Sequence, residues 1–484
     1  MSRSFLFVTV FFTGLCVTAI ELTASRFLAP FFGASIFIWA NVIGVVLAAL
    51  ALGYYLGGRF ADKNSSVLGL YTVIFFTGFF TIMIPLIGKP VMTVSFEIFS
   101  REQSGVFWGS LIAVLILFAF PLILLGMVSP WAAKLATERL DMVGSTVGKL
   151  YSISTIGSIF GVFLPVLVTI PFLGTARTFF LFGILLLVLG AFGLCKKKLF
   201  SVPLISAALL FMPISLYGND PQVLAEKESL YNTLHVRELA DKSRYLIINE
   251  GQGVQSFFNP TELMSKRYWD AASLLPAFNP EGERFLTVGV AGGTAIRIFH
   301  HFYPEVLIDG VDVDADILKL AEKYFNLKQD DHLKLHIADG RMFLKNASYK
   351  YDFVLLDAYT KEASIPFHLV TKEFFQELKG NLTEKGVVMI NVATFGERQE
   401  IAAAITNTLA GVFVHTSTWW FPNSGSWMIV ASDNELRPGG NIQDAYLQSL
   451  LDDFQKNSRE VTYNPAKIVF TDDKTPIEIM ARLY

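Results

Sequence analysis

Val288-Gly289-Val290-Ala291-Gly292-Gly293-Thr294, followed by Asp312, is the stretch whose reading decides the fold. The order is a strand (Phe285 to Val290), a glycine turn, a helix (Ala295 to Phe302) and a second strand (Val306 to Val311) ending in Asp312. That is the first half of a nucleotide-binding βαβ unit. Glycines at such a turn let the backbone approach a ligand that a side chain would block. An acid at the tip of the second strand is placed to take two ribose hydroxyls. The spacing is G-x-x-G-G, neither the dinucleotide G-x-G-x-x-G nor a phosphate loop with its lysine. A ribose-reading acid without a pyrophosphate cradle points to an adenosine ligand such as S-adenosylmethionine. An ordinary strand-to-helix turn would also carry such glycines, so the flanking sequence has to decide.

Downstream, the pattern repeats. A helix (Ala315–Tyr324) leads to a strand, Lys334–Ile337, ending in Asp339-Gly340. A helix (Arg341–Ala347) then leads to the strand Phe353–Leu356, ending in Asp357. A helix (Thr371–Leu378) and the apolar strand Val387–Val392 follow. This alternation predicts a doubly wound parallel sheet. Three strands, closing at Asp312, Asp339 and Asp357, put an acid at the carboxyl edge, where such sheets bind ligands. Upstream, Thr233–Leu239, Arg244–Asn249 and Val254–Phe258 read as a small antiparallel unit with turn residues between them. A helix from about Thr261 to Leu275 is expected to join it to the main sheet.

The other half of the chain has a different character. The 484 residues are 52% hydrophobic with a net charge of -3, and the apolar residues concentrate before about Tyr217. Such a charge excludes a general nucleic-acid binder. With only Cys16 and Cys195, neither a disulfide framework nor a thiolate zinc site is expected, and no metal is called for. Seven apolar segments approach or exceed the roughly 20 residues needed to cross a bilayer. They lie near Phe5–Thr23, Ile36–Leu56, Val67–Ile87, Val106–Val128, Val147–Ile170, Phe179–Leu194 and Leu199–Tyr217. Gly44, Gly53, Gly57 and Gly58 suit close helix–helix contact. Arg59, Lys63, Lys134, Arg139 and Lys196-Lys197-Lys198 fall on the side of the N-terminus, which places that side in the cytoplasm. Seven crossings would export the nucleotide-binding half, so Leu199–Tyr217 is expected to lie in the interface or re-enter rather than cross; an eighth crossing would also serve. The domains are then a multi-span membrane domain (1–217), a linker and small β unit (218–258) and an α/β domain (259–484).

From about Ser229 to Val392 the chain resembles the spermidine synthases, the polyamine aminopropyltransferases, in the branch fused to a multi-span membrane segment. Thr471-Asp472-Asp473-Lys474-Thr475-Pro476, and Glu21-Leu22 with Arg26-Phe27-Leu28-Ala29-Pro30-Phe31-Phe32-Gly33, extend the likeness. The resemblance implies an all-α membrane domain and a Rossmann-like, S-adenosylmethionine-type domain. It implies decarboxylated S-adenosylmethionine as co-substrate, with S-adenosylmethionine as the alternative, and a small polyamine such as putrescine as acceptor. It assigns Gly289, Gly292 and Gly293 to the co-substrate loop, Asp312 to the ribose, Asp339 and Gly340 to the adenine, and Asp357 to proton acceptance. Asn232 stands where the family has a cofactor-binding glutamine, and Gln255 matches the glutamine after the small strands. Departures cluster on the amine side. Ala291 replaces an aspartate between the glycines, and Tyr268-Trp269-Asp270 replaces Tyr-His-Glu. Thr360 replaces a second acid, with Tyr359 beside it and Glu362 or Asp270 as substitutes for holding the amine. His368 is an alternative base, although a lone histidine approaching a helix reads as structural. A multi-pass protein of the inner cell membrane is expected, homo-oligomeric, in contact with lipid, with its catalytic half cytoplasmic. Two other readings stay open: an S-adenosylmethionine-dependent methyltransferase, and a transporter or sensor whose soluble half binds a polyamine without catalysis.

Overall fold

The computed structural model describes residues 3–33, 35–99, 105–137, 143–195, 197–212, 220–249, 253–359, 365–393, 399–439, 442, 444–477 and 480. Two compact units divide the chain, Met1–Gly218 and Asn219–Tyr484.

In the first unit, six helices among the described residues are long and apolar enough to cross a membrane. They are α1 (Arg3–Phe32), α2 (Ile36–Lys63), α3 (Val67–Phe99), α4 (Gly105–Ala136), α5 (Val143–Leu173) and α6 (Thr175–Leu194). Among the described residues, the segment expected over Leu199–Tyr217 does not add a seventh. Its apolar helical part, Lys198–Phe211, is broken into 3-10 and α turns. At 1.5 to 2.0 Å per residue it spans at most about 28 Å, short of a hydrocarbon core of about 30 Å. Inside α4 and α5, Leu115–Ala119 and Pro165–Thr169 widen to π-helix. Each widening includes the residue four before a proline, Pro121 or Pro171, where the ring would strike the carbonyl of a regular helix. Of the four glycines expected at helix contacts, Gly53 and Gly57 are there: a Cβ on either would lie within 2.5 Å of Ile123 O or Met127 Cα. Gly44 and Gly58 face open space instead.

The second unit begins with a four-stranded antiparallel sheet in sequential order. Its strands are β1 (Val223–Glu228), β2 (Thr233–Glu238), β3 (Arg244–Ile248) and β4 (Val254–Phe258). β1 falls in the stretch read as linker. Leu234, Val236, Leu246 and Ile248 turn one face of this sheet onto Ile317, Leu320 and Phe325 of the next layer. The helix expected over Thr261–Leu275 does not form. Asp270 accepts from the backbone N–H of Ser265 and Lys266, a local bond that competes with helix. A buried 3-10 stretch, Tyr268–Leu274, running into a single α-turn, Leu275–Phe278, results.

The main sheet has eight strands. In chain order they are β5 (Arg284–Val288), β6 (Leu307–Asp312), β7 (Leu333–Ile337), β8 (Tyr351–Leu356), β9 (Leu382–Ala393), β10 (His415–Phe421), β11 (Ser426–Ser432) and β12 (Arg459–Glu460). Their spatial order is β12-β10-β11-β9-β8-β5-β6-β7. β9, β8, β5, β6 and β7 run parallel, and β11, β10 and β12 join antiparallel at one edge. Helices cover both faces: α7 (Thr294–Phe302), α8 (Ala315–Tyr324), α9 (Gly340–Lys345), α10 (Lys372–Gly380), α11 (Gln399–Ala410) and α12 (Ala445–Asn457). Asp314, Asp339 and Thr371 cap α8, α9 and α10, each accepting an amide of the first turn.

Candidate functional site

Strand order reverses at β5. From it the chain moves outward through β6 and β7 on one side, and returns to β8 on the other. Such a reversal opens a crevice at the carboxyl ends of the two central strands. Gly289 leaves β5 there and Asp357 leaves β8. The two strand ends are in direct contact: Asp357 N–H donates to Val288 O at 2.8 Å. Gly289 has φ +92°, and a Cβ on it would sit 2.3 Å from the Asp357 carbonyl oxygen. Only glycine meets both demands.

The turn satisfies its own amides. Gly289 N–H donates to Val311 O and Gly293 N–H to Val290 O, both at 2.8 Å. Val290 and Ala291 N–H donate to Asp312 Oδ2 at 3.1 and 3.2 Å. Gly292 N–H donates to Ser256 Oγ at 2.7 Å, so β4 of the small sheet clamps the turn from above. Ala291 holds a left-handed φ of +47° and packs its methyl against the core of that sheet.

Asp312 also accepts from Asp314 N–H at 3.0 Å through Oδ1. A carboxylate offers about four lone-pair sites, so three amides leave room for a hydroxyl. Burial raises its carboxyl above the ordinary range, against those three donors. Asp339 accepts from Met342 N–H at 3.0 Å, and its Oδ2 lies 2.9 Å from His368 Nε2. Burial works against its charge, but the Met342 N–H and His368 hold the carboxyl below the ordinary range. Gly340 packs flat on Val288, where a Cβ would meet Cγ1 at 2.3 Å.

Asp357 is the most perturbed of the three. It accepts from Asn391 Nδ2 at 2.8 Å and from the Tyr268 hydroxyl. Burial outweighs both donors and pushes its carboxyl up to about 7. Among the described residues it caps no helix: the 3-10 turn Phe367–Leu369 follows Pro366, and α10 is capped by Thr371. Burial and the neighbouring Asp357 charge keep the Tyr268 phenol protonated far above its usual range. Tyr359 donates to Asn391 O at 2.7 Å and accepts from Ala393 N–H at 2.8 Å, which fixes its ring beside Asp357.

The other expected residues divide. Asn232 is buried and accepts from Asn249 Nδ2 at 3.1 Å. Its neighbour Ser229 donates to Asp314, which ties this hairpin to the Asp312 loop. Gln255 is the extra residue of a β-bulge, between Ser256 paired with Leu246 and Val254 paired with Ile247. Bulges of this kind re-aim a side chain. Asp270 is a correction. It has no exposed surface, and its oxygens accept from Ser265, Lys266 and the Tyr446 hydroxyl. It holds a turn and is closed to an amine. Glu362 lies outside the described residues.

One residue escaped the sequence reading. Asn391 stands in the interior of β9, 1% exposed, and donates to Asp357, yet its own Oδ1 is buried without a hydrogen-bond partner among the described residues. Buried acceptors are nearly always paired, so an orphan beside a perturbed carboxylate is a place where a substrate N–H fits. A lone asparagine inside an apolar strand was the available signal. Metal-binding groupings of His, Cys, Asp and Glu are absent among the described residues.

Residues 275–435 match the spermine/spermidine synthase domain family. The chain is 30% identical over 283 residues to a probable polyamine aminopropyl transferase of Bifidobacterium longum, covering 53% of this chain and 61% of that protein. It therefore spans about three fifths of that relative's length. Over 211 residues it is 30% identical to a polyamine aminopropyltransferase of Vibrio vulnificus, covering 42% of this chain and 70% of that one. A polyamine aminopropyltransferase 2 of Aquifex aeolicus is 23% identical over 448 residues, covering 88% and 87% of the two chains.

Proposed function

Since the chain belongs to the polyamine aminopropyltransferase family, enzymes that transfer an alkyl group, we propose that it moves an aminopropyl group from decarboxylated S-adenosylmethionine to a polyamine such as putrescine. In that reaction a neutral amine nitrogen attacks the carbon next to the sulfonium. The C–N bond forms as the C–S bond breaks, methylthioadenosine leaves, and the amine proton passes to Asp357. The leaving group is already good, so the protein's tasks are alignment and proton removal. An alkylammonium has a pKa of about 10, by analogy with lysine, and must lose a proton before it attacks. A carboxyl held near 7 is matched to that task at neutral pH. The raised Asp357 carboxyl at the strand crossover is the observation that carries the proposal.

The remaining roles follow from the same crevice. Asp312 takes the ribose, Asp339 and Gly340 line the adenine, and Gly289, Gly292 and Gly293 let the thioether lie against the turn. Tyr268, Tyr359 and Asn391 orient Asp357 and wall the alkyl chain; Asn232 and Gln255 close the pocket from the small-sheet side. Six apolar helices among the described residues make an even number of crossings, which supports a catalytic half on the same, cytoplasmic side as the N-terminus; an inner-membrane, homo-oligomeric protein belongs to the same reading. The test is incubation of purified protein with decarboxylated S-adenosylmethionine and a panel of amines. Mass spectrometry should find methylthioadenosine and one aminopropylated product. S-adenosylmethionine runs in parallel because one observation favours methyl transfer. The Ala291 methyl packs where the family's aspartate stands, so no carboxylate there meets an aminopropyl ammonium. A methylated product with no aminopropylated one would install that second reading.

A further inference from the structure

His368 is bound into the site by more than its sequence position foretells. Its Nε2 lies 2.9 Å from Asp339 Oδ2, while the other oxygen, Oδ1, is occupied in capping α9. The two side chains are 33% and 39% exposed, so the pair sits at the mouth of the crevice rather than in a core. The backbone beneath the imidazole is held separately. Arg341 Nη1 donates to His368 O at 3.3 Å. The same guanidinium makes two 2.8 Å bonds to Glu377 on α10 and two to Asp472 in the turn Thr471–Lys474. Thr371 Oγ1 also donates to Asp472, at 2.7 Å. This fork already ties α9, α10 and the late turn together, so the imidazole bond is not needed to join them. What it adds is control of one oxygen. A carboxylate held only by its capping bond can rotate; with Oδ2 also held, its orientation is single.

We propose that His368 is a positioning residue for the nucleoside: its Nε2–H fixes Asp339 Oδ2, whose remaining lone pair accepts from the exocyclic amino group of the adenine. This rests on the reading of Asp339 as the residue beside the adenine. His368 does not touch the reacting atoms, so it governs co-substrate affinity and leaves turnover at saturation alone.

Calorimetry of the full-length protein in detergent, with methylthioadenosine as probe, tests this alongside steady-state kinetics. His368→Leu removes the donor and should weaken methylthioadenosine about ten- to hundredfold, as expected for one charge-assisted hydrogen bond. The amine KM and the kcat at saturating co-substrate should stay at parental values. His368→Gln presents an N–H at the Nε2 position and should recover affinity to within about threefold. Asp339→Asn keeps a good cap but should weaken the probe by itself and make His368→Leu silent in its background. Parental affinity in Asp339→Asn would overturn the Asp339 reading, and this inference with it. Weakened binding in Asp339→Asn with parental affinity in His368→Leu would overturn the His368 inference alone. So would a His368→Leu protein that loses melting temperature but not affinity, or a His368→Gln protein that recovers nothing.

Discussion

Asp357→Asn should make the protein more stable as it makes it inactive, and the gain should depend on pH. The wild-type carboxyl stands at about 7 in the fold against an ordinary 3.8. A folded-state value above the unfolded one means that the fold favours the protonated acid. That contribution is fully present below about 3.8 and is lost as pH rises through about 7. Relative to the protonated acid, the ionised carboxylate then costs roughly 2 kcal/mol at about pH 5.5 and roughly 4 kcal/mol at about pH 8. Asparagine is neutral throughout and keeps both partners. Its amide oxygen accepts from Asn391, and its amide N–H can donate to the Tyr268 hydroxyl. The advantage of Asp357→Asn should therefore widen by about 2 kcal/mol between those pH values, or roughly 4–8 °C in the melting temperature of a unit this size. Thermal unfolding followed by tryptophan fluorescence at both pH values reads it directly. Turnover per folded molecule should fall about 10²–10⁴-fold. A stability difference that does not change with pH, or a variant that still turns over, refutes the account of Asp357 as a buried proton acceptor.

Four further outcomes are expected. The pH profile of kcat/KM should rise through about 7, as Asp357 deprotonates; Asn391→Leu, which removes a donor to that carboxylate, should move this limb to higher pH and raise the amine KM. Asp312→Ala should weaken methylthioadenosine by one to two decades in calorimetry, from roughly 1.5–3 kcal/mol for a lost bond to a charged group. Gly289→Ala should lower the melting temperature and turnover together, since its Cβ would force the Asp357 carbonyl away at a backbone cost of about 1–3 kcal/mol. In a background lacking Cys195, the one exposed cysteine, single cysteines at Lys63 and Lys242 should label only from the cytoplasmic face; periplasmic labelling of either would overturn the topology.

Much of this architecture was written locally. The glycine turn and the acids at 312, 339 and 357 were legible because strand ends, turns and caps are set by residues near in sequence, and the Ala315–Tyr324 helix is found as read. What was not legible depends on distant partners. Asp270 looked like an available acid, but Tyr446, far along the chain, completes its burial. Asn391 looked like an ordinary member of an apolar strand until β8 set Asp357 beside it. The antiparallel edge of β10, β11 and β12 carries no glycine-and-acid signature and was missed altogether. The seventh apolar segment shows the opposite failure. Its composition is that of a span, and the length of its regular helix is not.

The self-contained hydrogen bonding of the Gly289–Gly293 turn has a consequence for selectivity inside a cell. A phosphate-binding loop works by aiming unpaired amide hydrogens at oxyanions. Here all five amides are spent on Val311, Asp312, Ser256 and Val290, and the turn is faced by a carboxylate. ATP and the pyridine dinucleotides share the adenosine of the proposed ligand and are far more abundant. Each would bring its anionic charge to a turn whose own five amides are already bonded and which faces a like charge. In the proposed site, the same bonds that stiffen the turn would thus act as a filter, favouring an adenosyl sulfonium over the energy currency around it.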